Sequence, residues 1–237
     1  MQPVNAIAGN IEHIRQRIDA AARTAGRAAD DIRLIAVSKR MPPESVAAAI
    51  AAGHRCFGEN TLQDAATKQQ LIDDPEIEWH FIGHLQSNKA GAVAEKFDWL
   101  HTLDSVKLAK KLAAHRPPQV QPLGVLLQVN IARDPAKYGL LPEAVYSVTD
   151  TLLNTALPGI SLQGLMTIGQ QAANDSQRRA EFAALRDLAA DCAIRFGQQY
   201  FSELSMGMSD DFELAIAEGA TMVRVGSSIF GSREPVG

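Results

Sequence analysis

The chain opens with isoleucines at positions 7, 11, 14 and 18, and polar residues separate them. Apolar side chains three or four residues apart share one face of an α-helix, so this spacing is typical of an amphipathic helix. Glycine is common just after a helix end. We therefore predict an opening helix that ends near Gly26.

Short apolar runs typical of β-strands follow at regular intervals. The predicted strands span residues 34–39, 55–59, 79–83, 98–103, 124–130, 162–168, 202–207 and 222–230. The predicted helices between them span residues 43–50, 61–72, 87–96, 105–115, 142–155, 175–196 and 210–218. Each strand except the last is followed by a helix, which indicates crossover connections and a parallel sheet.

Eight strands in 237 residues fit a closed (β/α)8 barrel, a fold that typically has about 250 residues. An open, doubly wound sheet is the alternative, and it would carry a glycine-rich motif in its first βα turn. That turn reads SKRMPPE, without glycine. We therefore predict an α/β protein with a TIM-type (β/α)8 barrel, an extra N-terminal helix and a single domain over residues 1–237.

Composition narrows the class of protein. The formal net charge is −4, which argues against nucleic-acid binding because such proteins carry basic surfaces. No apolar run reaches the ~18 residues of a membrane helix, and the N-terminus lacks the pattern of a signal peptide. Cys56 and Cys192 are far apart and belong to no metal-binding motif. We expect a cytoplasmic protein that binds neither membranes nor metal ions.

Barrels of this type carry their active sites at the carboxyl ends of the strands. Two of these ends, SMGMSDD (205–211) and RVGSSIFG (224–231), combine glycine with hydroxyl side chains. They follow the seventh and eighth predicted strands, after which many barrels bind phosphate. We therefore predict a phosphate site built from both loops. The carboxylates of Asp210 and Asp211 would oppose it only if they pointed at the phosphate.

The strand MVRVG places a cation inside the predicted barrel. Side chains alternate along a strand, so Val223 and Val225 face one side and Arg224 faces the other. Since the valines suit the side covered by helices, Arg224 should project into the barrel mouth. A buried guanidinium needs a partner. Two partners remain open, an ion pair with a strand-end carboxylate such as Glu59, or a bound ligand.

Lys39 lies at the end of the first predicted strand, in AVSKRMPPE. A partly desolvated lysine close to another cation has a lowered pKa, and the neutral amine is the form that attacks a carbonyl group. Lys39 is therefore a candidate for Schiff-base formation. A phosphorylated aldehyde would engage both Lys39 and the phosphate loops. Pyridoxal phosphate and the phosphosugar of a class I aldolase both fit this description.

Six segments carry a resemblance to a known family: AVSK, FGEN, HFIGHLQSNK, GLMTI, SMGMSDDFELAI and VRVGSSIFG. In this order, over residues 34–231, they resemble the pyridoxal phosphate homeostasis protein family, whose fold is similar to the N-terminal barrel of alanine racemases. Two positions depart from the family pattern, Thr61 where tyrosine is common and Ala220 where serine or threonine is usual. Neither belongs to the implied cofactor contacts.

The resemblance implies a pyridoxal phosphate site of eight residues. They are Lys39, Asn60, His80, Met208, Ser209, Arg224, Gly226 and Ser227. By resemblance, Lys39 forms the internal aldimine and Arg224 faces the pyridine nitrogen. The phosphate is held by Ser209, Gly226 and Ser227.

Some positions in the matching segments receive no role from the resemblance. Asn60 and His80 lie near the implied cofactor, and His80 could equally be a core histidine with satisfied hydrogen bonds. His84 and His101 show no pattern that assigns them a function.

An arginine beside the pyridine nitrogen limits the chemistry of the cofactor. A permanent cation disfavours protonation of that nitrogen and weakens the ring as an electron sink, so transamination and decarboxylation are not expected. A racemase needs an acid/base group on each face of its substrate, and Lys39 can serve one. The related racemases take the other from a tyrosine of an additional domain. We expect that domain to be absent, because the chain ends soon after Gly231, which leaves Tyr138 as a candidate.

We therefore predict a protein that binds pyridoxal phosphate through Lys39. By resemblance, it takes part in intracellular vitamin B6 homeostasis without strong catalytic activity. An amino-acid racemase and a Schiff-base aldolase are the alternatives. Apo-enzymes that depend on pyridoxal phosphate are candidate partners, and we expect a monomer or a weak dimer.

Overall fold

Eight parallel strands close into a barrel. The computed structural model describes residues 4–170 and 173–231. Its strands are β1 (Arg33–Val37), β2 (Cys56–Glu59), β3 (Glu78–Phe81), β4 (Trp99–Leu103), β5 (Leu123–Gln128), β6 (Ile160–Met166), β7 (Glu203–Met208) and β8 (Met222–Val225). Each strand pairs with its neighbours in chain order, and β1 closes the barrel against β8 with Leu34 opposite Val223. The predicted barrel is confirmed.

Helices surround the strands. In the described part of the chain they are α1 (Val4–Thr24), α2 (Pro43–Ala51), α3 (Leu62–Leu71), α4 (Ala90–Lys96), α5 (Val106–His115), α6 (Pro142–Leu153), α7 (Asp175–Phe196), α8 (Phe212–Ala217) and α9 (Ser227–Phe230). Short 3-10 helices occupy Ala29–Asp31, Ser87–Lys89 and Gln198–Tyr200. Among these helices, none combines the length and the apolar character that crossing a membrane requires.

The segment after β8 differs from the prediction. The sequence predicts a strand through residue 230 and no following helix, whereas β8 ends at Val225 and α9 follows. The N–H groups of Ile229 and Phe230 both bond to the carbonyl of Gly226 at 3.0 Å. Both apolar side chains are buried. The prediction is wrong here because a short apolar run suits a buried helix as well as a strand.

The extra N-terminal helix is confirmed and packs on the outside of the barrel. Its four isoleucines are at most 4% exposed, and the helix contacts α2, α8 and α9. The Asn10 amide donates to the carbonyl of Ile229 at 2.8 Å, and Arg17 pairs with Glu213. Helix α1 therefore covers its apolar face within the chain, next to the first and last helices of the ring.

The barrel wall separates two buried layers. Outward-facing residues such as Val223 and Val225 pack with the helices in the main core, as the alternation predicts. A small apolar cluster fills part of the interior with Ile35, Leu126, Met166 and Met222. Buried polar side chains share that interior, among them His101 of β4 and Ser205 of β7, whose Nδ1 and Oγ atoms lie 2.8 Å apart. Because β4 and β7 are not neighbours in the sheet, this contact crosses the barrel.

Candidate functional site

A cavity of about 510 Å³ opens at the carboxyl ends of the strands. Four of the predicted site residues line it: Lys39, Asn60, Met208 and Arg224. The lining is completed by Ile82, Asp134, Lys137, Met166, Ile168, Gly169 and Gln170. The barrel thus gathers at one cavity side chains that are up to 185 positions apart in the sequence.

Lys39 lies in a turn two residues beyond the end of β1 and is half-buried. The N–H of Met41 bonds to the carbonyl of Ser38 at 2.9 Å and closes the turn. Arg40 has a φ of +62°, a left-handed conformation that residues other than glycine rarely adopt. The carboxylate of Asp64 accepts its backbone N–H. Both neighbours of Lys39 are therefore fixed, which restricts the region that its side chain can reach.

A buried lysine supports this turn from α3. Lys68 Nζ donates to the carbonyl of Ser38 at 2.7 Å, to Glu59 at 2.6 Å and to Asp64 at 2.9 Å. The Ser38 hydroxyl donates to the same oxygen of Glu59 at 2.6 Å. Burial raises the pKa of Glu59 to about 7, although Lys68 and Ser38 favour its ionised form. We call Ser38, Glu59, Asp64 and Lys68 the Lys68 cluster; it anchors the residue that precedes Lys39.

Arg224 projects into the barrel, as the alternation predicts, and is 4% exposed. It donates to Ser205 Oγ at 2.6 Å and to the carbonyl of Thr167 at 2.8 Å. Burial lowers the pKa of Arg224 to about 10. Within residues 4–170 and 173–231, no carboxylate forms an ion pair with Arg224. Glu59, one of the two partners left open, is bound to Lys68 instead.

The loops after β7 and β8 meet at one hydrogen bond. The backbone N–H of Gly226 donates to Ser209 Oγ at 3.3 Å. Because the Ser209 oxygen accepts this bond, its own hydrogen can be donated elsewhere. Ser227 and Ser228 open α9, and N–H groups at a helix start have no partner within the helix. Donors from both predicted phosphate motifs therefore belong to adjoining loops.

Asp211 is tied into the turn between β7 and α8. Its carboxylate accepts the N–H of Met208 at 2.6 Å and lies 3.9 Å from Arg178. Asp210 is exposed, whereas Asp211 is buried. The Asp211 charge is therefore engaged within its own turn.

Asn60 follows β2 and lies against the loop after β3. A Cβ added at Gly83 would be 2.0 Å from the backbone oxygen of Asn60, so this close approach requires glycine. The contact helps to position Asn60 in the cavity lining, and its role there stays a prediction.

His80 lies inside the barrel and is fully buried. Its Nε2 is 2.7 Å from Glu78 and its Nδ1 is 2.9 Å from His101 Nε2. The ring stacks on Trp99 with 5.8 Å between centroids. Both nitrogens are thus satisfied by side chains, and His80 is not among the residues that line the cavity. A contact between His80 and a cofactor stays a prediction.

Comparisons with known proteins agree with this architecture. Residues 5–234 match the family described as alanine racemase, N-terminal domain. The pyridoxal phosphate homeostasis protein of Pseudomonas aeruginosa is 43% identical over 231 residues, which cover 98% of this chain and 97% of that protein. The chain belongs to the pyridoxal phosphate homeostasis protein family. The resemblance carried by the six segments is therefore confirmed.

Solved structures extend this family relationship. PipY of Synechococcus elongatus was solved without and with pyridoxal phosphate bound, and the two structures match with TM-scores of 0.85 and 0.83 at 38% and 36% identity. Each match covers 95% of this chain and 100% of PipY. Alanine racemase from Corynebacterium glutamicum is 20% identical, with a TM-score of 0.69 over 97% of this chain and 62% of the racemase. At that identity the likeness shows the fold alone.

Three buried polar residues of this pyridoxal phosphate homeostasis family member were not predicted from the sequence: Lys68, His101 and Ser205. His101 offered a signal, because a polar residue on an inward position of a parallel strand is unusual. Lys68 offered none, since it lies in a helix with many polar residues. Its role depends on the packing of α3 against the ends of β1 and β2.

Tyr138, the candidate for a second acid/base group, lies beside the cavity on the surface. It is 58% exposed, and its ring stacks on His84 with 3.7 Å between centroids. The adjacent Lys137 lines the cavity, whereas Tyr138 does not. The position of Tyr138 therefore lends no support to a role inside the cavity.

Proposed function

We propose that this protein binds pyridoxal phosphate reversibly at the barrel mouth and acts in cytoplasmic vitamin B6 homeostasis without strong catalytic activity. One observation carries the proposal. The half-buried amine of Lys39 and the buried guanidinium of Arg224, which has only neutral acceptors among the described residues, line the same cavity. An aldehyde that also carries negative charge could react with the amine of Lys39 and interact favourably with the guanidinium of Arg224.

The donor set of the cavity fits pyridoxal phosphate. Lys39, Lys137 and Arg224 supply positive charge, while Asp134 is the single carboxylate in the described lining. Ser209 is not among the lining residues but directly follows Met208, which is. It has a hydrogen available for a phosphate oxygen, because its oxygen already accepts from Gly226. Charge-assisted hydrogen bonds of this kind are the stronger ones in proteins.

Each group has a definite task in this proposal. Lys39 Nζ would bond to the aldehyde carbon with loss of water, which holds the ligand covalently but reversibly. Ser209, Gly226 and Ser227 would hold the phosphate. Arg224 would donate an N–H toward the ring nitrogen, and since a guanidinium cannot accept a hydrogen bond, that nitrogen would stay unprotonated. Asn60 and Met208 would border the ring as part of the cavity lining.

The task of Arg224 disfavours transamination and decarboxylation. Pyridoxal phosphate supplies an electron sink to its enzymes, and this sink is strongest when the ring nitrogen is protonated. Arg224 opposes that protonation. The names of the relatives support the same role, since they are called homeostasis proteins, and PipY was solved with pyridoxal phosphate bound.

A racemase is the second candidate, because the fold is shared with alanine racemase. Racemisation requires an acid/base group on each face of the substrate, and the described cavity lining contains no tyrosine. A phosphosugar aldolase, open from residue chemistry alone, gains no support from the family relationship.

Titration with pyridoxal phosphate tests the proposal. The protein should develop a visible absorption band with saturable binding, and Lys39→Arg, which keeps the charge, should lose that band. Lys96→Arg, on the exposed end of α4, serves as the matched control and should behave as wild type. A protein that takes up no pyridoxal phosphate would overturn the proposed function.

A further inference from the structure

A row of hydrogen bonds runs through the barrel from its base to the cavity. At the base, Glu78 Oε1 lies 2.7 Å from His80 Nε2. His80 Nδ1 lies 2.9 Å from His101 Nε2, and His101 Nδ1 lies 2.8 Å from Ser205 Oγ. Ser205 Oγ accepts from Arg224 at 2.6 Å. We call these five residues the barrel chain.

The two ends of the barrel chain determine where every hydrogen lies. A guanidinium only donates, so Ser205 must accept from Arg224. With both histidines neutral and Glu78 ionised, Ser205 gives its own hydrogen to His101 Nδ1. The remaining hydrogen of neutral His101 is then on Nε2 and is donated to His80 Nδ1. His80 in turn donates from Nε2 to Glu78, because a carboxylate only accepts. Every bond therefore points from Arg224 toward Glu78.

The surroundings support two neutral histidines between two charged ends. Burial lowers the pKa of both His80 and His101, and the positive charge of Arg224 adds to the effect on His101. Burial opposes the ionisation of Glu78, but the bond from His80 and the charge of Arg33 outweigh it, so its pKa falls to about 2. Arg33 lies 3.3 Å from the Glu78 carboxylate.

We infer that the barrel chain sets the position of Arg224, so that His80, His101 and Ser205 act as positioning residues for the ligand at the cavity. This inference rests on the proposed function. In the described structure Arg224 donates to Ser205 Oγ and to the carbonyl of Thr167, and these acceptors hold the guanidinium in place. If Ser205 lost its bond to His101, its hydrogen could rotate toward Arg224 and displace the guanidinium from its acceptor.

Cys56, Arg33 and Trp99 lie close to the base of the barrel chain without forming part of it. The Cys56 sulfur, Glu78 and His80 place ligand atoms within 4.8 Å of one another. Such a set could hold a metal ion, but the guanidinium of Arg33 already supplies the positive charge beside Glu78. Trp99 stacks on His80 and holds its ring plane. Glu78 and Trp99 therefore fix the orientation of the His80 ring, on which the direction of the hydrogen bonds in the barrel chain depends.

The first experiment reads the hydrogens directly. In protein labelled with 15N histidine and free of ligand, long-range 1H–15N spectra near neutral pH should show His80 and His101 neutral, with the hydrogen on Nε2 in both. A hydrogen on Nδ1 of either ring, or a charged ring, would contradict the hydrogen positions assigned to the barrel chain. Because no ligand is present, this result is independent of whether the protein binds pyridoxal phosphate.

The second experiment measures the effect on the ligand. Ser205→Ala and His80→Leu should each weaken pyridoxal phosphate binding about tenfold, the effect of roughly one hydrogen bond to a charged group. They should also change the 15N shift of the ring nitrogen in labelled pyridoxal phosphate, which lost stability alone would not move. His80→Gln, whose amide can both accept and donate, should restore binding.

A buried histidine outside the chain supplies the control. His54 bonds to the carbonyl of Cys56 at 2.8 Å, and His54→Leu should lower stability while leaving affinity and the ring-nitrogen shift near wild type. If His80→Leu does not fold, Ser205→Ala alone decides. If Ser205→Ala and His80→Leu match His54→Leu in both affinity and ring-nitrogen shift, the inference is overturned. If wild-type protein does not bind pyridoxal phosphate, the proposed function is overturned instead.

Discussion

Lys68 Nζ donates a hydrogen bond to Glu59 Oε1 at 2.6 Å, and both side chains are buried. The second oxygen of Glu59 is also buried and has no hydrogen-bond partner among the described residues. This pair connects α3 to the end of β2, and through the Ser38 carbonyl it reaches the turn that carries Lys39.

Removing the ammonium of this pair should be costly. We expect Lys68→Met to lower the free energy of unfolding by about 3 kcal/mol, because breaking a buried ion pair leaves one charge without a partner. The pKa of Glu59 is already raised to about 7, so its carboxyl can take up a proton near neutral pH. The loss should therefore be smaller at about pH 6 than at about pH 8.

Urea unfolding of Lys68→Met at both pH values measures this effect. Lys107→Met, on the exposed face of α5, is a suitable control for loss of a lysine. The double variant Lys68→Met, Glu59→Gln should recover part of the stability, since the buried charge is gone. An equal loss in the single and double variants would contradict this account of the Lys68 cluster.

The phosphate loops make a separate prediction. Ser209→Ala and Ser227→Ala should each weaken binding of pyridoxal phosphate, because a hydrogen bond to a charged group contributes about 1.5–3 kcal/mol. Affinity for pyridoxal, which lacks the phosphate, should change little. Ser147→Ala on α6 is the control, since its hydroxyl bonds only to the carbonyl of Ala144 in the described structure. Equal losses for both ligands would place the phosphate elsewhere.

Much of the fold follows from local pattern, and much of the site does not. Strand and helix alternation predicts the barrel, and the alternation of valines places Arg224 inside it. The acceptors of Arg224 could not be predicted, because Ser205 and Thr167 come from other strands and meet it only through the barrel geometry. Most strand ends were predicted to within a few residues. Helix α9 was not predicted, because Ile229 and Phe230 could be buried equally well in a strand or in a helix.

Acid should destabilise the protein through buried histidines. Burial lowers the pKa of His54 to about 4 from its ordinary value of 6.5. Above pH 6.5 this group contributes its full stability, and the contribution is lost as the pH falls toward 4, because the unfolded chain binds the proton first. Burial of His80 and His101 acts in the same direction.

The free energy of unfolding at about pH 7.5 and about pH 5 tests this prediction. The His54 contribution changes by at most about 1.4 kcal/mol for each pH unit between the two pKa values. His54→Gln should reduce the loss of unfolding free energy at the lower pH. His13→Gln, on the exposed face of α1, should leave that loss unchanged. If His54→Gln loses as much unfolding free energy in acid as wild type does, His54 is not responsible for the acid sensitivity.

Racemisation should remain at a trace level. A positioned acid/base group contributes about 10²–10⁴-fold, and the described cavity lining offers no tyrosine for the second face. Protein loaded with pyridoxal phosphate should exchange the Cα hydrogen of alanine in heavy water far more slowly than a racemase does. Fast exchange with racemisation, lost in Tyr138→Phe, would identify the protein as an enzyme.

The most direct test of the central claim is the position of the covalent bond. Protein saturated with pyridoxal phosphate is reduced with borohydride, digested and analysed by mass spectrometry. We predict a phosphopyridoxyl group on Lys39 and no label in the corresponding peptide of Lys39→Arg. A label on Lys137, the other lysine in the described cavity lining, or no label at all would contradict it.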